Sequence, residues 1–382
     1  MSIAYLDPET GETWPLEPPR WSGPPSPSNR ARPLMLTAMP GIGRAEIEAA
    51  TPGLWRYRAA LPLPSAGPIS MGEGMTPLIE RPLYGATALL KCEWVMPTGS
   101  FKDRGASVML SLLRAQGIDA VLEDSSGNGG AAIAAYAAAG GIKAVILAPA
   151  ATSPAKLVAM RAAGAEVELI AGDRQATAEA ALERAGRIFY ASHNWHPFFL
   201  EGTKTLAYEL WEQLGFRAPD NVIVPCGAGS NVLGLAIGFG ELARAGEIAL
   251  PPRIFAAQPD NCAPIAAAFL AGAEGPVPTP IRPTIAEGTA IAAPIRLRAV
   301  LEALRASRGG VARLTEAEIA AATLDLARMG LYVEPTAAQA AAAFRQLVAR
   351  GTLAPDARNV VVLTGSGLKA GARIAELIEG AQ

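Results

Sequence analysis

A chain of 382 residues is long enough for two medium domains with a sizeable core, and a composition 50% hydrophobic and only 18% charged excludes a disordered protein. The net charge of −2 creates no field that would draw nucleic acid or an anionic membrane. No stretch supplies the roughly 20 unbroken apolar residues a bilayer crossing needs; the longest, 131–151, is interrupted by Gly140, Gly141 and Lys143.

The N-terminus shows neither a basic nor an apolar leader region, so a cytoplasmic protein is expected. Residues 1–35 are rich in proline and poor in periodic apolar positions, which predicts an extended arm rather than a domain. The 5–14 segment carries no cysteine, so zinc is not expected there. From about residue 85, short β-rich runs alternate with alanine-rich helical ones. Strands are predicted at 120–122, 144–147 and 167–170, and helices at 131–139, at 154–163 behind a Thr152/Ser153 cap, and up to about Gly186. Further on come a strand at 222–224, a helix at 232–245, and strands at 254–258 and 360–363. The 272–283 stretch, with four prolines, reads as a surface loop or hinge. Such alternation predicts an α/β fold with largely parallel sheets. Cys92, Cys226 and Cys262 are too scattered for a disulfide framework or a metal hook. His193 and His196 alone are a weak metal signal and are read as polar loop residues, so no metal is expected.

Four motifs carry chemistry. In Pro-Thr-Gly-Ser-Phe-Lys-Asp-Arg-Gly, 97–105, Lys102 follows a Gly-Ser turn and opens a helix. The positive helix end and Arg104 disfavour protonation of its amine, the neutral form a Schiff base requires. In Glu-Asp-Ser-Ser-Gly-Asn-Gly-Gly, 123–130, the residues Ser125, Ser126, Gly127, Asn128 and Gly129 lie between a strand and a helix, where backbone N–H groups and hydroxyls can hold a carboxylate. In 224–234, Gly227, Ala228, Gly229, Ser230 and Asn231 form a glycine loop suited to a phosphate. It lacks the Gly-Lys-Ser/Thr of a nucleotide-binding P-loop, which disfavours a nucleotide module. In Leu-Thr-Gly-Ser-Gly-Leu-Lys, 363–369, a hydroxyl of Thr364 or Ser366 can meet a ring nitrogen. Each motif alone also reads as an ordinary turn.

Their order and spacing are more telling. Together with Gly-Glu-Gly-Met-Thr-Pro-Leu at 72–78, Leu-Glu-Gly-Thr-Lys-Thr at 200–205, Ile-Ala-Glu-Gly-Thr-Ala-Ile at 285–291 and Glu334-Pro335, the set resembles the fold-type II pyridoxal phosphate (PLP) enzymes, most closely the threonine synthases, over about 70–375. The resemblance implies a tryptophan synthase β-like fold: two doubly wound α/β domains with PLP between them. The expected division is an arm at 1–35, a large PLP-binding domain at 36–94 and 200–382, and a small mobile domain at 95–199. It implies that Lys102 carries the cofactor and then acts as mobile acid and base. Asn128 would bond the phenolic oxygen, Gly227 to Asn231 the phosphate, and Thr364 the pyridine nitrogen, while Ser125 to Gly129 clasp the substrate carboxylate. A neutral hydroxyl does not hold the ring nitrogen protonated, which favours elimination or replacement at Cβ or Cγ over transamination.

Two positions depart from the threonine synthase pattern. Phe199 stands where the family carries a phosphate-binding arginine, and Gly129 where it commonly has threonine. An apolar ring cannot neutralise a phosphate dianion. The expected function is a PLP-dependent lyase of a small L-amino acid, threonine synthase-like, converting O-phosphohomoserine to threonine and phosphate. The alternative is a threonine/serine-type ammonia-lyase giving a 2-oxo acid. A PLP-binding regulatory protein without catalysis is the non-enzyme alternative. A homodimer is expected from the family and from the prevalence of twofold symmetry.

Overall fold

The computed structural model describes residues 3–25, 31–63 and 67–380. Its strands are β1 (Tyr5–Leu6), β2 (Thr13–Trp14), β3 (Met35–Leu36), β4 (Leu78–Leu83), β5 (Ala86–Cys92), β6 (Ala120–Glu123), β7 (Lys143–Pro149), β8 (Glu166–Ile170), β9 (Phe189–Tyr190), β10 (Asn221–Pro225), β11 (Arg253–Pro259), β12 (Gly310–Leu314) and β13 (Asn359–Leu363). Its α-helices are α1 (Lys102–Ala115), α2 (Asn128–Gly140), α3 (Pro154–Ala162), α4 (Arg174–Arg184), α5 (Pro197–Gln213), α6 (Ser230–Arg244), α7 (Pro264–Leu270), α8 (Leu297–Ala306), α9 (Glu316–Arg328), α10 (Pro335–Ala349) and α11 (Gly371–Glu379). No helix among the described residues is long and apolar enough to cross a membrane.

Helix boundaries follow from local chemistry. Asp173 caps α4 by accepting the N–H groups of Gln175 and Ala176. Thr315 and Glu318 form a reciprocal capping box at α9. Pro154 and Pro335 open α3 and α10, where their missing N–H costs nothing. Gly141 ends α2 in the left-handed region at φ 69°, which a side chain would resist.

The chain divides into two compact units. The first comprises the residues up to Gly74 and Lys102–Thr203. Its four-stranded sheet runs β8-β7-β6-β9, all parallel. The chain steps from β6 to β7 to β8 and then returns to place β9 on the far side of β6. The β6/β9 boundary is therefore the topological switch point, where the carboxyl ends of an open parallel sheet leave a crevice. A separate small antiparallel sheet, β2-β1-β3, lies within the N-terminal stretch. Tyr5 and Leu34 from that stretch join the core with Trp55, Met109, Ile133 and Tyr136. Glu73 organises the interior: its carboxylate accepts Trp55 Nε1–H at 2.8 Å, the Ser107 hydroxyl at 2.6 Å, the Tyr136 hydroxyl at 2.8 Å and Met71 N–H at 2.8 Å.

The second unit comprises Met75–Phe101 and the residues from Lys204 onward. Its six-stranded sheet runs β12-β11-β10-β13-β5-β4; only β4, at the edge, is antiparallel. Val222–Val224 and Val360–Val362 are buried throughout, as strands covered on both faces require. Here the switch point falls between β10 and β13. Two buried ion pairs brace α5 in this unit, Lys91 with Glu209 and Lys204 with Glu241. Glu209 also accepts Thr76 N–H at 2.8 Å, and Glu241 the Tyr208 hydroxyl at 2.7 Å.

Candidate active site

The predicted residues fall into two groups, each at the switch point of its own sheet. In the second unit, Gly227, Ala228 and Gly229 connect β10 to α6, which starts at Ser230 and Asn231. Gly229 caps that helix at φ 96° with no side-chain bond to its first turn. A Cβ on Gly229 would lie 2.3 Å from Val300 Cγ2, and one on Gly227 would lie 3.1 Å from Thr289 Cα. The back of the loop is thus packed too tightly for side chains, and the backbone itself forms the loop's open surface. Thr364 follows β13, the neighbour of β10, and is buried. Its carbonyl accepts Phe101 N–H at 3.0 Å, and Gly365 bridges to Ser100. The strand-end loop therefore grips the turn that immediately precedes Lys102.

In the first unit, Lys102 is the opening residue of α1 and is half-buried. Ser125, Ser126 and Gly127 follow β6 and lead into α2 at Asn128 and Gly129. Gly127 caps α2 without a side-chain bond, so this helix N-terminus carries its positive end at the strand-end loop. A Cβ on Gly130 would sit 1.8 Å from the Ser125 carbonyl oxygen, so glycine is required for the helix to start here.

Three further side chains stand beside these residues. Phe199 is fully buried, and a Cβ on Gly105 would lie 2.5 Å from its ring. A Cβ on Gly202 would likewise lie 2.1 Å from the Arg104 carbonyl oxygen, so α1 and α5 pack backbone to backbone there. The Lys102 Nζ lies 5.5 Å from the Phe199 ring centroid, and the His193 ring lies 5.7 Å from it on an edge contact. His193 Nδ1 is 3.0 Å from Glu123 Oε1, and its backbone N–H donates to Glu123 Oε2 at 3.0 Å. Burial pushes Glu123 up to about 7, against the pull of the His193 N–H and the Lys102 charge. Burial, then the Lys102 charge, hold His193 well below its ordinary 6.5. Asp124 is raised by burial and by Glu123.

The expectation for the histidines needs correcting. Both lie in the loop after β9, but both are buried: His193 is tied to Glu123, and His196 packs among Tyr5, Phe189 and Phe198. His-x-x-His spacing suggested only metal or solvent. The informative signal was position, because the residues just past β9 sit at the switch point.

Comparison with known proteins agrees with this geometry. Residues 69–365 match the family described as pyridoxal-phosphate dependent enzyme. The threonine synthase of Methanocaldococcus jannaschii is 35% identical over 83% of this chain and 80% of its own. That of Methanosarcina acetivorans is 33% identical over 86% and 83%. The processed form of a threonine deaminase isoform from Solanum lycopersicum shares the fold: its structure superposes with a TM-score of 0.68 at 24% identity, covering 80% of this chain and 83% of its own. The chain belongs to the pyridoxal-phosphate dependent enzymes of fold type II and is a PLP-dependent lyase. Its residues fit that cofactor. The glycines at 227 and 229 leave no room for side chains behind the loop, and the α6 N-terminus carries no side-chain cap, so its backbone N–H groups can meet a phosphate.

Proposed function

We propose that this lyase acts on a small L-amino acid by elimination or replacement at Cβ or Cγ, with the threonine synthase reaction as the first reading. The observations that support it are the ordered motif set in this sequence and the 33–35% identity to threonine synthases over more than four-fifths of the chain. When bound, PLP supplies a sink for the electron pair left at Cα once its proton is removed.

The protein's own residues do the rest. Lys102 would hold the cofactor and then take the Cα proton. The uncapped first turn of α2, with Ser125, Ser126, Gly127, Asn128 and Gly129, takes the substrate carboxylate. Asn128 would also bond the cofactor's phenolic oxygen. Gly227, Ala228, Gly229, Ser230 and Asn231 would hold its phosphate, and the Thr364 hydroxyl would serve its ring nitrogen.

A second reading, β-elimination from threonine or serine to a 2-oxo acid and ammonia, is favoured by Phe199. By the resemblance, Phe199 stands where a phosphate-binding arginine is expected, and its buried ring cannot neutralise a phosphate dianion. Steady-state assay of the PLP-loaded enzyme separates the two. Threonine and phosphate from O-phosphohomoserine support the first; 2-oxo acid and ammonia from threonine or serine, with phosphohomoserine inert, support the second. Inertness toward all three contradicts both.

A further inference from the structure

We propose that His193, backed by Glu123, is the acid–base group acting on the oxygen at the substrate's Cβ. This rests on the lyase reading above, in which Lys102 serves Cα. Three observations carry it. First, His193 meets both Glu123 oxygens, Oε1 at Nδ1 and Oε2 at its backbone N–H, each at 3.0 Å, and Oε1 also accepts the Asp124 N–H at 3.1 Å. A carboxylate on Nδ1 fixes the ring and leaves Nε2 as its working atom. Second, the His193 side chain is 6% exposed, so only an edge of the ring is open. A Cβ on Gly129 would lie 2.7 Å from Cε1 and Nδ1. The imidazole therefore fills the space that a side chain at position 129 would need, within the segment read as the carboxylate loop. Third, Lys102 and His193 flank the same Phe199 ring, at 5.5 and 5.7 Å. One proton-transfer group is thus available for Cα and a second for its neighbour.

The step balances. Lys102 takes the Cα proton, and the Cα–Cβ double bond forms as the Cβ–O bond breaks. The departing oxygen keeps its electron pair and takes the proton of Nε2, leaving as water. The Glu123 proton meanwhile passes to Nδ1. Run backwards, the same group deprotonates water adding to Cβ, as replacement requires. The pair works with one proton: Glu123 protonated and Nε2–H a donor, or Glu123 ionised, Nδ1–H bonded to it and Nε2 an acceptor. The other titratable or charged groups acting on the pair are Asp124 after β6, Tyr190 on β9, Lys102 on α1 and Arg174 on α4.

L-Threonine tests this on the PLP-loaded enzyme, being product in one reading and substrate in the other. Two rates are measured in D2O: exchange of the Cα hydrogen and formation of 2-oxobutanoate. His193→Gln should keep exchange within a few-fold and lose 2-oxobutanoate formation by about 100-fold or more. Equal loss of both rates, or loss of neither, overturns the proposal. Glu123→Gln should show the same split. A measurement needing no turnover covers a variant that fails to fold. The chain has two histidines, so nitrogen NMR of the wild-type rings is simple to assign with His196→Gln. His193 should pass from the Nε2–H to the Nδ1–H tautomer as pH rises through neutrality, and a fixed tautomer contradicts the relay. Absence of Cα exchange with any amino acid in the wild type would strike the lyase reading instead.

Discussion

His193 Nδ1 lies 3.0 Å from Glu123 Oε1, and the same carboxylate accepts the His193 backbone N–H. One residue ends β6 and the other stands three positions beyond β9, so the contact locks together the two loops at the first unit's switch point. The pair is also a matched titration. Glu123 is raised from 4.5 to about 7, and His193 is depressed below 6.5.

The sign of each contribution is opposite. Glu123, raised in the folded state, adds stability that is fully present below pH 4.5 and lost as pH rises through about 7. His193, depressed in the folded state, adds stability that is present above pH 6.5 and lost as pH falls below it. Between these limits the folded pair holds its proton on Glu123 and the unfolded chain holds one on His193, so stability should be nearly flat. His193→Gln should expose the Glu123 slope, losing on the order of 3 kcal/mol from pH 4.5 to 7. Glu123→Gln should expose the opposite slope below pH 6.5. Urea titrations across this range check both; a wild type as steep as either variant contradicts the pairing.

Gly129→Thr, which restores the residue common in related enzymes, should destabilise by about 1–3 kcal/mol. Its Cβ would lie 2.7 Å from the His193 ring and 3.0 Å from Ser125 Oγ. Combining it with His193→Gly should recover most of the loss. Thermal melts of the single and double variants measure this coupling.

Phe199→Ala should cost about 3–5 kcal/mol, because the ring is fully buried against Gly105. Gly105→Ala should be destabilising by about 1–3 kcal/mol for the complementary reason, its new methyl meeting the ring at 2.5 Å. Urea midpoints test both. A neutral Phe199→Ala would mean that the ring is not a packing element.

Glu73→Ala should destabilise by about 1–3 kcal/mol, since it takes the acceptor from the buried Tyr136 hydroxyl and leaves Trp55 and Ser107 only their second acceptors, Ser107 Oγ and the Ile69 carbonyl. Glu73→Gln, which keeps an acceptor oxygen, should lose less. The same melts report the order.

The parallel strands were legible from short apolar runs alternating with alanine-rich helical ones: 120–122, 144–147, 167–170, 222–224, 254–258 and 360–363 all lie within observed strands. The β4–β5 hairpin was not anticipated. Glu80, Arg81 and Pro82 make β4 polar, as an antiparallel edge strand permits. The start of α2 was placed at 131 rather than Asn128, because Gly129 and Gly130 read as turn residues. They are glycine to clear His193 and the Ser125 carbonyl. The glycine loop was legible because packing and a positive φ demand glycine there, whereas Lys102 was read from the order and spacing of the motifs. Glu123 and His193 were not, because the 70 positions separating them meet only through sheet topology.

The central claim is that Lys102 carries the cofactor. Borohydride reduction of the PLP-loaded enzyme followed by peptide mass mapping tests it directly, among only six lysines. The pyridoxyl mass is expected on Lys102 alone. The same mass on Lys91, Lys143, Lys156, Lys204 or Lys369, or on no lysine, would contradict it.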